Sequence, residues 1–72
     1  MSMLSIFKSR LPEGYVVLKE AEYSDHFMVV VARGDQVENV YLNKAVAPRM
    51  HNKYVDQVID ITIKAMKFSE MK

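Results

Sequence analysis

The sequence predicts an α+β domain in the order α-β-β-β-α: a short N-terminal helix, a three-stranded antiparallel sheet and a long C-terminal helix. Two observations predict this class. Residues 15–42 hold three strand-like runs separated by turns too short for a crossover, so neighbouring strands are expected to be antiparallel. Residues 2–11 and 52–71 instead repeat apolar side chains at helical spacing. With 72 residues, the chain 1–72 is expected to form a single small domain.

The first helix is predicted over residues 2–11. Ser2 can serve as its N-cap, and Leu4, Phe7 and Leu11 recur at helical spacing. The Pro-Glu-Gly sequence at 12–14 ends the helix, because Pro cannot continue it and Gly tolerates the turn. An isolated helix of this length is marginal in water, so we expect its apolar side chains to dock on the rest of the fold.

The three strands are predicted over residues 15–23, 26–33 and 37–42. Simple alternation in the first strand separates two faces, with Val16 and Leu18 on one and Tyr15, Val17, Ala21 and Tyr23 on the other. The second strand is apolar on both faces, which is typical of a central strand covered on both sides. Gly34 and Asp35 predict a tight hairpin turn. If both helices cover one face, the other face of the second strand is left to a partner.

The last helix is predicted over residues 52–71. Its N-cap is Asn52, or the helix starts just after Ala47 with Pro48 in the first position. Its apolar arc spans roughly 220° on a helical wheel, whereas a helix on one sheet needs an arc of only about 100°. The surplus predicts contact with the N-terminal helix, a second copy of the chain, or a partner. The arc is formed by Tyr54, Val55, Val58, Ile59, Ile61, Thr62, Ile63, Ala65, Met66 and Phe68.

A core in so small a protein supplies little net stability, and small proteins often add disulfides, metal sites or oligomerisation. The composition leaves oligomerisation as the expected source of additional stability. The chain has no cysteine, so disulfides and thiolate metal sites are excluded, and its net charge is +1. No apolar run reaches the roughly 18 residues of a membrane span, and we expect a cytoplasmic protein without a membrane segment. We expect a homodimer. Its contact is predicted at Phe27, Val29, Ile59, Ile63 and Met66.

The residues that could carry catalysis have simpler interpretations. Asp56 and Asp60 lie one helical turn apart, but both belong to the polar sector, where Asp60 is expected to pair with Lys64. Ser24, Asp25 and His26 are adjacent in sequence, and adjacent residues seldom reach triad geometry. We therefore predict no catalytic residue, no metal site and no cofactor, and we expect that the protein is not an enzyme.

Residues 44–53 form the one stretch in which cations gather without acids. Lys44, Arg49, His51 and Lys53 lie there, the last three at or just before the start of the last helix. Basic side chains and free N–H groups converging at a helix start could hold a phosphate or a carboxylate of a partner. The alternative is a solvated loop. We predict these four residues as a ligand surface.

The element order, the length and the stretch HFMVVVARGDQVENVYL before a basic helix start resemble the outline of the double-stranded-RNA-binding domain. In that family a basic cluster at the start of the last helix grips phosphates, and this resemblance implies such a role for Arg49, His51 and Lys53. The chain departs from the family at Ser24 and Asp25, which stand where the family has Gly-Pro. Its last helix also lacks the lysine pair of the family.

Together these patterns indicate a small, non-enzymatic interaction or regulatory protein that binds a protein partner as a homodimer. Economy of length suits an accessory factor of the kind that phages and mobile elements encode, acting on a host protein. The alternative is a nucleic-acid-binding module that uses the basic segment. A third reading is an enzyme subunit whose site another chain completes.

Overall fold

The computed structural model describes the backbone of residues 2–70 and the side chains of residues 2–67. Its elements are α1 (Met3–Arg10), β1 (Val16–Glu22), β2 (His26–Arg33), β3 (Gln36–Asn43), a 3₁₀ turn (Pro48–Met50) and α2 (His51–Glu70). The predicted α-β-β-β-α class is confirmed. The predicted last residue of α2, Met71, and the side chain of Phe68 lie outside the described residues.

The three strands form one antiparallel sheet in the order β1-β2-β3, and both helices pack on the same face of it. We call this the helix face and the opposite one the outer face. Val29 and Val31 of β2 point to the helix face, opposite Val40 and Glu38 of β3. The core lies between this face and the helices. Its buried members are Met3, Ile6, Phe7, Val29, Val31, Val40, Leu42, Val55, Ile59 and Met66.

A bulge at Leu18 interrupts β1 and corrects the predicted alternation of that strand. Val17 pairs with Val31, but Lys19 already pairs with Val30, so Leu18 is the extra residue. The extra residue reverses the faces beyond it. Tyr15 and Val17 therefore lie on the helix face as one set, whereas the prediction that Ala21 and Tyr23 share their face is wrong.

The turns at the two ends of β2 set its pairing with both neighbours, and with it the change of face in β1. Gly34 has φ +59° and no non-glycine residue among those described has positive φ, so the 34–35 turn has the pattern of a type II′ hairpin. Its closing pair is Arg33 and Gln36. At the other end of β2, Tyr23 N–H donates to the carbonyl of His26 at 2.9 Å and closes the second two-residue turn. The register of β2 is thereby set from both sides.

Helix α1 docks as predicted, with Phe7 fully buried and Leu4 and Leu11 packed at the rim of the core. Ser2 is its N-cap and accepts a hydrogen bond from Ser5 N–H at 3.2 Å. Helix α2 begins at His51, directly after the 3₁₀ turn that begins at Pro48. The prediction of Asn52 as N-cap is therefore wrong, and the helical conformation starts after Ala47, as the second prediction has it. Neither helix, over the part described, combines the length and hydropathy that crossing a bilayer requires.

Candidate interaction surfaces

The basic segment of residues 44–53 is divided by its own contacts. Lys44 Nζ lies 2.7 Å from Glu22 Oε2 and 4.8 Å from the centre of the Phe27 ring, so a carboxylate on β1 already balances its charge. The imidazole Nε2 of His51 donates a hydrogen bond of 2.9 Å to the carbonyl oxygen of Val46. That bond ties the loop to the start of α2. Two of the four predicted ligand residues thus stabilise the fold locally.

Arg49 and Lys53 are the two members of the segment that face solvent. Within the described residues, neither makes an ion pair or a hydrogen bond through its side chain. A ligand surface at this place would therefore depend on two cations and not on the predicted four.

The five residues predicted for self-association lie inside the protomer or at the rim of its core. Val29, Ile59 and Met66 are buried between the sheet and the helices. Phe27 and Ile63 are half-buried and pack against the same core. A second copy could reach the first three only if the fold opened. An interface on the folded protomer has to be sought elsewhere.

The broad apolar arc of α2 is divided between the core and solvent. Its centre, at Val55, Ile59 and Met66, meets the sheet and α1. One flank carries Ile63, which packs against the core. The opposite flank carries Ile61, whose exposed fraction is 66%. The surplus apolar surface of the helix therefore lies on the Ile61 side.

The outer face of the sheet is apolar and uncovered in the described part of the chain. The register places there the residues that alternate with the core-facing ones. In the middle strand these are Met28, Val30 and Ala32. Four of the seven large hydrophobic residues that are exposed among those described are placed on this face by the strand pairing and by the stacking of Tyr23 on His26: Val16, Tyr23, Val37 and Tyr41. Leu18 is the fifth, because the two residues of a bulge, here Leu18 and Lys19, oppose a single partner residue, Val30. Leu18 reaches an exposed fraction of 61%.

An aromatic group occupies one end of the outer face. The His26 ring stacks on Tyr23 at 4.8 Å between centroids and meets the edge of Tyr41 at 5.5 Å. Its Nδ1 lies 2.7 Å from Asp25 Oδ1. This hydrogen bond, with smaller contributions from the amide of Asp25 and from the charges of His26 and Lys44, lowers the pKa of the Asp25 carboxyl from 3.8.

A groove of about 270 Å³ runs between the free edge of β3 and α2. Residues 38–41 form one wall. The other wall is formed by Val58, Ile61, Thr62 and Ala65. The Thr62 hydroxyl donates to the carbonyl of Val58 at 2.8 Å, so the buried oxygen is satisfied within the helix. The groove surface is thus mainly hydrocarbon, with Glu38 as its one carboxylate.

The paired acids of α2 are each engaged by a cation. Asp60 forms the predicted ion pair with Lys64 at 2.9 Å. Asp56 accepts two hydrogen bonds of 2.8 Å from Arg10 Nη1 and so joins α2 to α1. In residues 2–67, no three His, Asp or Glu side chains lie close enough together to hold a metal ion.

Sequence reasoning missed the residues that are most available for contact. Leu18, Val37 and Ile61 are half or more exposed, yet none of them was among the five residues predicted for self-association. The second strand, apolar on both sides, did predict that the face left uncovered by the helices is available to a partner. The residues chosen on that strand, Phe27 and Val29, lie on the helix face instead. Comparison of the chain with protein-family models, with curated proteins and with solved structures found no match.

Proposed function

We propose that this chain is a small, non-enzymatic interaction protein that binds a protein partner through the outer face of its sheet and functions as a homodimer. The observation that carries the proposal is the set of five exposed hydrophobic residues on one uncovered face. Monomeric proteins seldom expose contiguous apolar patches, and those that they do expose usually mark interaction sites.

The chemistry of the outer face indicates the kind of partner surface that fits it. Lys19 is the one Lys, Arg, Asp or Glu that the register places on this face of the described sheet. The hydroxyl groups of Tyr23 and Tyr41 can donate hydrogen bonds while their rings are covered. Aromatic residues with few charges are characteristic of the centre of protein–protein interfaces. A largely apolar protein surface is therefore the complementary ligand.

The proposal assigns no reaction to the groove beside β3. Glu38 is the one carboxylate there, and its neighbours in the groove are the side chains of aliphatic residues, an amide, a phenol and a back-bonded hydroxyl. General acid–base chemistry needs a second group within hydrogen-bond reach of a reacting atom. A groove of this composition favours the burial of another apolar surface.

The test is site-specific photo-crosslinking in the native host. A photoreactive amino acid replaces Leu18 on the outer face or, as a matched control, Gln57 on the solvent side of α2. We expect the chain of 8.3 kDa to form a discrete adduct with a different protein from position 18 and not from position 57. The same adducts from both positions, or adducts only at the mass of two chains, would contradict partner binding by the outer face.

A further inference from the structure

The edge of β3 that faces away from β2 carries free backbone hydrogen-bonding groups. Because Arg33 and Gln36 close a two-residue hairpin, β3 residues with even numbers bond to β2 and those with odd numbers point outward. The contact of Asn43 agrees with this parity, since its N–H donates to the hydroxyl of Tyr54 at 2.9 Å. Tyr54 thereby closes one end of the edge, and the 34–35 turn closes the other.

Between these limits the outward groups belong to Val37, Asn39 and Tyr41. Across the described residues, no backbone or side-chain group accepts from or donates to the outward N–H and C=O groups of these three residues. Unpaired strand edges are templates for another strand, and folded proteins usually protect them with bulges, charges or Pro. β3 has none of these devices except the single charge of Glu38, which points to the helix face.

The opposite edge of the sheet is protected. β1 carries the bulge at Leu18, which interrupts its pairing geometry. Glu20 and Glu22 follow it and form ion pairs with Lys8 and Lys44, at 3.1 and 2.7 Å. One edge of the same sheet is thus bulged and charged while the other is regular and nearly neutral. Of the two edges, that of β3 is therefore the one open to an added strand.

We propose that the added strand is β3 of a second copy, paired antiparallel about a two-fold axis through Asn39. This inference rests on the homodimer of the proposed function and gives it a geometry. The register follows from the free backbone N–H and C=O groups, which belong to Val37, Asn39 and Tyr41. All three residues of both copies form hydrogen bonds only if the two-fold axis passes through the middle residue, Asn39. Two three-stranded sheets then become one six-stranded sheet with about six new backbone hydrogen bonds.

Side chains on the outer face complement one another in this register. Val37 lies opposite Tyr41 of the second copy, and each has an exposed fraction of 57% before assembly. Aromatic and β-branched side chains are favourable partners across antiparallel strands. On the helix face, Glu38 lies opposite Val40 of the second copy and not opposite its own equivalent. The two Glu38 side chains are diagonal neighbours, about 7–8 Å apart.

The groove extends the same contact to the helices. Ile61 stands beside the middle of β3, so the two-fold axis brings it toward Ile61 of the second copy, with Val58 and Ala65 on either side. A stable interface buries at least about 600 Å² on each copy. That is about an eighth of the 4948 Å² surface of the protomer, so the proposed interface has to extend from the β3 edge onto the Ile61 flank of α2.

Single cysteines test the register, since the natural chain has none. Cα atoms of a hydrogen-bonded antiparallel pair lie about 5.5 Å apart, within disulfide range. We expect N39C to form a covalent dimer under mild oxidation. V37C and Y41C are expected to stay unlinked when each is oxidised alone, because each residue lies about 14 Å along the strand from its equivalent, but to link when mixed. Linkage of V37C or Y41C alone, with none for N39C, would overturn the register.

Two further variants test the surface by sedimentation equilibrium from about 1 to 500 µM. N39P removes an outward N–H and leaves the β2–β3 ladder intact, and I61K places a charge at the axis. Each should weaken dimerisation at least tenfold. The matched controls N39A and Q57K should leave the dissociation constant within a factor of about three, and E38Q should lower it by relieving the diagonal repulsion. NMR spectra of the variants verify the fold.

A wild-type chain that stays monomeric at 500 µM would overturn the β3 dimer, as would a dimer unaffected by N39P and I61K. The outcome is separable from that of the proposed function. Crosslinking of a different protein from position 18 that survives in the N39P variant would support partner binding by the outer face without requiring the β3 dimer.

Discussion

The hydrogen bond between Asp25 and His26 is a local constraint on the turn that joins β1 to β2. The imidazole is held at the same time by the stacked Tyr23 ring, so the carboxylate meets a donor whose position is fixed. A carboxylate that accepts a hydrogen bond is favoured in its ionised form, and its pKa falls. The hydrogen bond that stabilises the turn is therefore lost when acid protonates the Asp25 carboxylate.

We predict that the pKa of Asp25, measured by carbon-detected NMR titration, lies below 3.8 and rises in the H26F variant. A smaller rise is expected for K44Q, because the charge of Lys44 is the weakest of the contributing causes. Phe at position 26 retains a ring against Tyr23 and removes the donor. An unchanged Asp25 titration in H26F would assign the shift to another cause.

The lowered pKa of Asp25 determines whether acid raises or lowers the free energy of unfolding. The contribution of the ionised Asp25 is fully present above pH 3.8 and is lost as the pH falls through the lower value of the folded state. The D25N variant should therefore show a shallower loss of the free energy of unfolding with acid. The comparison requires urea unfolding of both proteins over the same pH series.

Among elements, α1 contributes most to the core for its length. Met3, Ile6 and Phe7 are buried, and the two ion pairs of the helix connect it to different elements, Lys8 to β1 and Arg10 to α2. Exposed ion pairs contribute little. The apolar side chains must therefore hold the helix in place.

We predict that F7A is largely unfolded at room temperature. Truncating a buried Phe costs about 3–5 kcal/mol, which equals the whole net stability of about 3–5 kcal/mol expected for a single small core. K8A on the adjacent position is the matched control, with an expected cost below about 1 kcal/mol because the pair is exposed. Thermal melting followed by circular dichroism measures both. Wild-type melting of F7A would mean that α1 is not needed for the fold.

The elements themselves were predictable from the sequence because local signals determine them. Ser2 and the 34–35 turn each act over a few residues, and the structure confirms both. Pro48 opens a 3₁₀ turn that leads into α2, as the second of the two predicted starts has it. The Leu18 bulge was not predictable in the same way. The Tyr23–His26 hairpin and the Val17–Val31 pair define registers of β1 on β2 that differ by one residue, and the bulge takes up the difference. Both pairs exist only in the folded sheet, so the sequence pattern of one strand does not reveal them.

The candidate site was less predictable than the fold, for a related reason. The arc of α2 predicted more apolar surface than one sheet can cover, but its division between a buried flank at Ile63 and an open flank at Ile61 depends on where α1 packs. The cations of residues 44–53 formed a cluster in sequence. Glu22, which neutralises Lys44, is 22 residues away in the chain and adjacent only through the sheet.

At the scale of the whole molecule, the charge is small and the cations are dispersed. Binding of nucleic acid requires basic side chains gathered on one face. We predict that mixed RNA and DNA duplexes bind at ~150 mM salt no more tightly than the non-specific range of about 10⁻⁴–10⁻⁶ M, measured by fluorescence anisotropy. A submicromolar affinity that weakens in R49A/K53A, with a flatter salt dependence, and not in the control K19A would instead favour the nucleic-acid alternative.

The protected edge of β1 also limits how far the proposed assembly can grow. A sheet with two open edges can accept a strand on either side, and copies then add without limit into a fibre. Here the bulge at Leu18 and the carboxylates that follow it leave one edge unable to extend. In the proposed dimer, pairing through β3 is isologous and uses the same edge on both copies, so assembly would end with two copies. In the proposed dimer, the irregular strand β1 would thus block amyloid-like extension of the sheet, while β3 at the opposite edge is used for association.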